Sequence, residues 1–149
     1  MNNLRHTGIY VSDLGAMEAF YTEVFQMKAV CSARPEANPM LDELFGIENA
    51  RIRTSKLITP YGVTQGTGDM IELVETLNFR SGSLDGGRQI SLAGMNHIAF
   101  GVDDIRQTAG KILKYGGTME TEITRMENGN CCAFARDIEG NWLELIQRV

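Results

Sequence analysis

The chain has 149 residues, of which 43% are apolar and 22% charged, an ordinary balance for a globular protein of one domain or two small modules. Its net charge is −5, and its 14 Lys and Arg are scattered among 19 acids with no basic stripe, which argues against a nucleic-acid partner. No window reaches the roughly 18 consecutive apolar residues of a transmembrane helix, and Met1-Asn2-Asn3-Leu4-Arg5-His6 has no apolar signal core, so no membrane partner and a cytoplasmic setting are expected.

Along the chain, residues 4–11 alternate and are rich in β-formers, which predicts a strand. Ser12 and Asp13 suit the cap of a following helix, whose Met17, Phe20, Tyr21, Val24 and Phe25 make one apolar stripe. Further strands are predicted over 28–34, 50–59 and 69–76, with an inserted loop at 35–46 holding a short helix near Met40 to Phe45, and a long turn over 60–68. Residues 77–94 are polar and Gly-rich, with Ser81-Gly82-Ser83 and Gly86-Gly87, and read as a linker or lid. A strand over 95–102 follows. Asp103 and Asp104 then cap a helix with Ile105, Ala109, Ile112 and Leu113 inward, stopped by Gly116-Gly117. Strands over 118–125, 131–136 and 142–148 complete the chain, joined by turns at 127–130 and 137–141. Of the three cysteines, adjacent Cys131 and Cys132 make no disulfide framework; strand alternation would point one inward and one outward as small apolar fillers.

The halves repeat. His6, Val11, Asp13 and Leu14 match His97, Val102, Asp104 and Ile105 at a single offset of 91 residues. Met70-Ile71-Glu72-Leu73-Val74-Glu75 likewise parallels Trp142-Leu143-Glu144-Leu145-Ile146-Gln147. The expected fold class is therefore α+β, with two βαβββ modules at 1–76 and 94–149 joined by a linker or lid over 77–93.

Alternation assigns faces. Ile9 and Val11, and Ile98, Phe100 and Val102, should pack on the helices, which leaves His6, Gly8 and Tyr10, and His97, Ala99 and Gly101, on the opposite side. Glu72 between Ile71 and Leu73, and Glu144 between Leu143 and Leu145, fall on that same side. A carboxylate inside an apolar strand is costly unless paired or metal-bound. Arg51, Arg53 and Arg136 are available for ion pairs, but the same choice is made twice, each time with a matched His. Two imidazoles and two carboxylates suit one divalent ion: Zn, Ni, Co, Mn or Fe(II).

These motifs resemble the vicinal oxygen chelate superfamily, which includes glyoxalase I, methylmalonyl-CoA epimerase, extradiol dioxygenases, fosfomycin-resistance transferases and bleomycin-binding proteins. The carriers are Arg5-His6-Thr7 leading to Val11-Ser12-Asp13-Leu14 and Phe20-Tyr21, then Met70 to Leu73, Asn96-His97-Ile98-Ala99-Phe100, and Asp137 to Leu145. The resemblance implies two modules forming a cupped mixed sheet around the metal, often as a homodimer, and a small-molecule substrate. It implies His6, Glu72, His97 and Glu144 as metal ligands, with Glu72 and Glu144 as the acid/base residues of a lyase or isomerase. Such an enzyme abstracts a proton next to a carbonyl and stabilises a metal-bound enediolate. A ring-cleaving Fe(II) extradiol-type dioxygenase and a non-catalytic drug- or metabolite-binding protein are the alternatives within the superfamily. Glyoxalase I typically has Arg and Asn, both glutathione contacts, where this chain has Tyr10 and Thr76. Tyr10, Thr76, Phe79, Cys132 and Phe134 are the expected substrate walls.

Overall fold

In the first half, β1 (Thr7–Val11) runs into α1 (Leu14–Phe25), and β5 (Met70–Thr76) returns beside β1 in parallel. Between them lie β2 (Lys28–Ala29), β3 (Pro35–Glu36), α2 (Pro39–Phe45), β4 (Ile52–Ile58) and α3 (Pro60–Gln65). The sheet order is β1-β5-β4-β2, with β3 also on β4. The second half holds β6 (His97–Gly101), α4 (Ile105–Lys114), β7 (Thr118–Met119), β8 (Thr124–Arg125), β9 (Cys131–Arg136) and β10 (Trp142–Gln147). Its order, β6-β10-β9-β7 with β8 on β9, repeats the first. The computed structural model describes residues 4–31, 33–66, 68–80, 90–91 and 93–149. The chain divides into two compact units, residues 1–83 and 84–149, and the class is α+β. Among the described residues, no helix is long and apolar enough to cross a membrane.

The same local chemistry starts both long helices. Asp13 and Asp104 sit in extended backbone, at φ −133° and −135°, and each side chain accepts a backbone N–H three residues on, at 2.9 Å. A second matched acceptor comes from the last strand of each unit. Leu14 N donates to Glu75 Oε1 at 3.5 Å, and Ile105 N donates to Gln147 Oε1 at 2.9 Å. These side chains satisfy N–H groups that a helix start leaves without partners. The strand is thereby tied to the start of the helix it packs on.

Each core lies between helix and sheet. Met17, Phe20, Tyr21 and Val24 of α1 are buried with Ile9, Val11, Leu57, Ile71 and Leu73. Ile105, Ala109 and Ile112 of α4 are buried with Phe100, Ala133, Ala135, Leu143 and Leu145. Burial of one such large side chain contributes about 1.5–3 kcal/mol. Phe25 lies half-buried at the stripe's end, stacked on Tyr21 at 5.9 Å. Leu113 departs from expectation and is 58% exposed, because the buried stripe of α4 runs Ile105, Thr108, Ala109, Ile112 and is complete one residue earlier.

Three further expectations change. The strand over 28–34 is cut short. Val30 N still donates to Lys56 O at 2.8 Å, but the Lys56 N–H goes to Cys31 Sγ at 3.3 Å, and the chain leaves the ladder until Pro35. The strand over 118–125 is broken by a bulge, where Glu120 N and Thr121 N both donate to Phe134 O. The long turn over 60–68 contains α3. Thr59 caps it, Pro60 supplies its fixed φ at the first position, and Gly66 ends it at φ +70°. Within the expected linker or lid, residues 81–89 and 92 lie outside the described residues.

Ser55, on the helix-facing side of β4, is fully buried, and its hydroxyl has no hydrogen-bond partner among the described residues. A buried polar atom left this way costs about 1–3 kcal/mol. Ser55→Ala is therefore expected to leave stability unchanged or raise it by about 1 kcal/mol, read from urea unfolding midpoints. A clear loss of stability would mean that the hydroxyl has a partner.

Candidate metal centre

Parallel pairing brings each His to its Glu. Gly8 of β1 lies opposite Glu72 of β5, so His6, two residues earlier, reaches the same carboxylate with Nε2 at 3.1 Å from Oε2. In the second unit Ala99 lies opposite Glu144, and His97 Nε2 stands 3.4 Å from Glu144 Oε2. Both glutamates are half-buried, while their neighbours Ile71, Leu73, Leu143 and Leu145 are buried on the helix side. A Cβ built on Gly8 would meet nothing within 4 Å, so the ground beside the first pair is open.

The two pairs have different surroundings. Lys56 of β4 stands directly across from Glu72, with Nζ 3.1 Å from Oε1. At the matching place in the second unit stands Phe134, across from Glu144, its ring 5.7 Å from that of His97. The arginines take other partners. Arg53 pairs with Glu75 on the helix side of the sheet, and Arg136 lies 3.4 Å from Glu120 and 4.2 Å over the Trp142 ring.

Asn96 decides the chemistry of His97. Its Nδ2 donates to Ile90 O at 2.8 Å, which turns its Oδ1 toward His97 Nδ1 at 2.7 Å. An amide oxygen only accepts, so the proton of a neutral His97 sits on Nδ1. Nε2 then presents a lone pair to a carboxylate oxygen, and two acceptors facing each other need a cation or a proton between them. An outer partner holding the far nitrogen of a ligating His is a recurrent feature of metal sites.

The four candidate ligands are thus brought together as two pairs, one in each unit. Among the described residues, no group of three or more His, Cys, Asp or Glu is gathered closely enough to hold a metal. Of the expected walls, Tyr10, Thr76, Cys132 and Phe134 lie on the same sheet faces as the pairs, and Phe79 follows β5 outside the ladder. Tyr10 follows Gly8 by one alternation and packs edge-on to Phe45 at 6.1 Å, and Phe45 meets Phe79 at 4.7 Å. Phe45 and Phe79 lie against buried Leu41, Ala50, Ile52 and Val74, and Thr76 stands across from Ile52. Cys132 and Phe134 alternate with buried Ala133 and Ala135; Cys131 and Cys132 are both half-buried free thiols. Lys56, the Phe45 shelf and the Asn96 hydrogen bond were absent from the sequence reading. Asn96 was visible as the neighbour of His97; Lys56 becomes a neighbour of Glu72 only through the strand register.

The chain belongs to the Glyoxalase/Bleomycin resistance protein/Dioxygenase superfamily, whose sequence profile it matches over residues 3–145. It is 32% identical over 143 residues to a probable lactoylglutathione lyase of Vibrio parahaemolyticus, covering 95% of this chain and 88% of that one. A glyoxalase family protein from Bacillus cereus has the same fold, with a TM-score of 0.86 at 18% identity over 99% of this chain and 94% of that one. The trypanothione-dependent glyoxalase I of Leishmania major superimposes with a TM-score of 0.66 at 25% identity, over 99% and 87% of the two chains.

Burial, and next the charge of Glu72, push the Tyr10 phenol above its ordinary pKa of 10.0. The folded chain therefore favours the neutral phenol, and that contribution to stability is lost as pH rises above 10 through the raised value. In metal-free protein, Tyr10→Phe should remove a phenolate that appears late in an ultraviolet titration, and Glu72→Gln should move its midpoint down. An unchanged titration in both variants would contradict the environment described for Tyr10.

Proposed function

We propose that this chain is a metal-dependent lyase or isomerase that moves a proton on a carbon next to a carbonyl. In this reading one divalent ion, Zn, Ni, Co, Mn or Fe(II), is held by His6, Glu72, His97 and Glu144. The observation that carries it is the repeated His–Glu pair, with His97 Nδ1 held by Asn96 Oδ1 and Nε2 facing Glu144. Two imidazoles and two carboxylates are a fitting mixed donor set. A pair alone offers too few ligands, so one site draws on both module types, from one chain or from the two chains of a homodimer. The modules meant are residues 1–76 and 94–149, joined through 77–93.

When bound, a divalent ion supplies the Lewis acidity that makes a proton beside a carbonyl removable. His6 and His97 serve as fixed nitrogen donors. Glu72 and Glu144 are the groups that take the proton and return it. Tyr10, Thr76, Phe79, Cys132 and Phe134 form the walls that select the substrate and limit water. The likeness to a probable lactoylglutathione lyase supports the reaction class. Tyr10 and Thr76, in place of the Arg and Asn of glyoxalase I, point to a substrate other than a glutathione hemithioacetal. Free cysteines among the described residues suit a cytoplasmic enzyme.

Elemental analysis of the purified protein tests the centre, with one transition-metal ion per site expected. Absence of any such metal after growth in metal-supplemented medium would sink the reading. Oxygen uptake with Fe(II) and a catechol would replace it with ring cleavage. Glu144→Gln should abolish turnover and weaken metal binding, since it removes an anionic ligand. Glu72→Gln should depress turnover more than metal retention if Glu72 is the base; equal losses would make it a ligand only. Mixing His6→Ala with His97→Ala protein distinguishes the two assemblies. Metal content above that of either variant alone means a site shared between chains, and no gain means a site within one chain.

A further inference from the structure

Lys56 has no counterpart in the second unit, and its placement bears on what the proposed centre accepts. On β4 it alternates with Thr54 and Ile58 on the face that carries Glu72; Lys28 of β2 shares that face across from Ile58, but Lys56 is the lysine directly across from Glu72. Its side chain is 38% exposed. Among the described residues its carboxylate partner is Glu72, at 3.1 Å. The neighbouring cation, Arg53, is held on the other side of the sheet by Glu75. At the corresponding register of the second unit the residue is Phe134, so the repeat does not require a cation here.

The charges set the consequence. In the metal-free pair, the ammonium of Lys56 and the carboxylate of Glu72 balance. A divalent ion that engages Glu72 on the Oε2 side, where His6 stands, would draw off much of that negative charge and leave the Lys56 ammonium on Oε1 only partly balanced. A partly desolvated ammonium is best satisfied by an anionic oxygen within hydrogen-bonding distance. Because Nζ lies one hydrogen bond from Glu72, that anion must sit only a few bonds from the substrate oxygen at the centre.

We propose that Lys56 is a specificity-determining residue that binds a carboxylate of the substrate, and that the substrates are small oxo or hydroxy carboxylic acids. This rests on the metal-centre reading above. The test uses Mn(II)-loaded protein and calorimetric titration with pyruvate and with its neutral amide, pyruvamide. Wild-type protein should prefer pyruvate by roughly tenfold or more, the range of a charge-assisted hydrogen bond. Lys56→Met and Lys56→Gln should lose that preference by weakening pyruvate alone, and Lys56→Arg should keep most of it. Equal weakening of both compounds, or a preference that survives in both neutral variants, would overturn the inference. Mn(II) affinity, measured by equilibrium dialysis on each protein, separates the two ideas. Mn(II) bound by wild type with no pyruvate preference overturns the role of Lys56 alone, and no Mn(II) binding overturns the centre and this inference together.

Discussion

Parallel pairing of the first and last strand of each unit governs the rest of the molecule. Parallel strands need a long crossover, and α1 or α4 with the strands after it supplies that connection. The register of the pair then does two things together. It sets Glu72 across from Gly8 and Glu144 across from Ala99, so that a His two residues upstream meets a carboxylate. It also carries Glu75 and Gln147, three residues further along, to the N-termini of α1 and α4. A slip by one residue would turn every side chain of the last strand to the other face and break both arrangements.

A repeated backbone does not make the two units chemically alike. The first pair has a lysine beside it and an aromatic shelf nearby, made by Phe45 and Phe79 over Ile52 and Val74. The second pair has aromatic neighbours, Phe134 and Trp142, and an asparagine that orients its imidazole. The first pair therefore has a charge beside it, and the second has aromatic rings and a hydrogen bond to its imidazole.

Turn chemistry supports this arrangement from outside the pairs. Asp137 is 3% exposed and accepts the backbone N–H groups of Glu139 and Asn141, while Gly140 takes φ +83°. This closes the turn that fixes β10 against β9, and so places Phe134 across from Glu144. Residues 35–46 meet the first sheet through α2, where Leu41 is buried and Phe45 reaches Tyr10. The insertion thus packs against Tyr10, on the face of the first sheet that carries Glu72.

The sequence by itself determined what depends on local periodicity and repetition. Strand alternation placed His6, Glu72, His97 and Glu144 on the side away from the helices, and the matched Asp13 and Asp104 announced the two helix starts. It also carried the family. Edges were harder to read. Cys31 Sγ taking the N–H of Lys56 ends one strand, and a bulge at Glu120 and Thr121, opposite Phe134, breaks another; both are ladder events with no local pattern. Leu113 was misassigned because one turn of helix can hold more apolar residues than its buried stripe uses. Only the tertiary structure decided which side chains meet across strands. Lys56 is 16 residues from Glu72 in sequence but directly opposite it in the sheet, and Phe134 holds the same place beside Glu144. Cross-strand neighbours depend on register, and register is a property of the paired strands that neither segment carries alone.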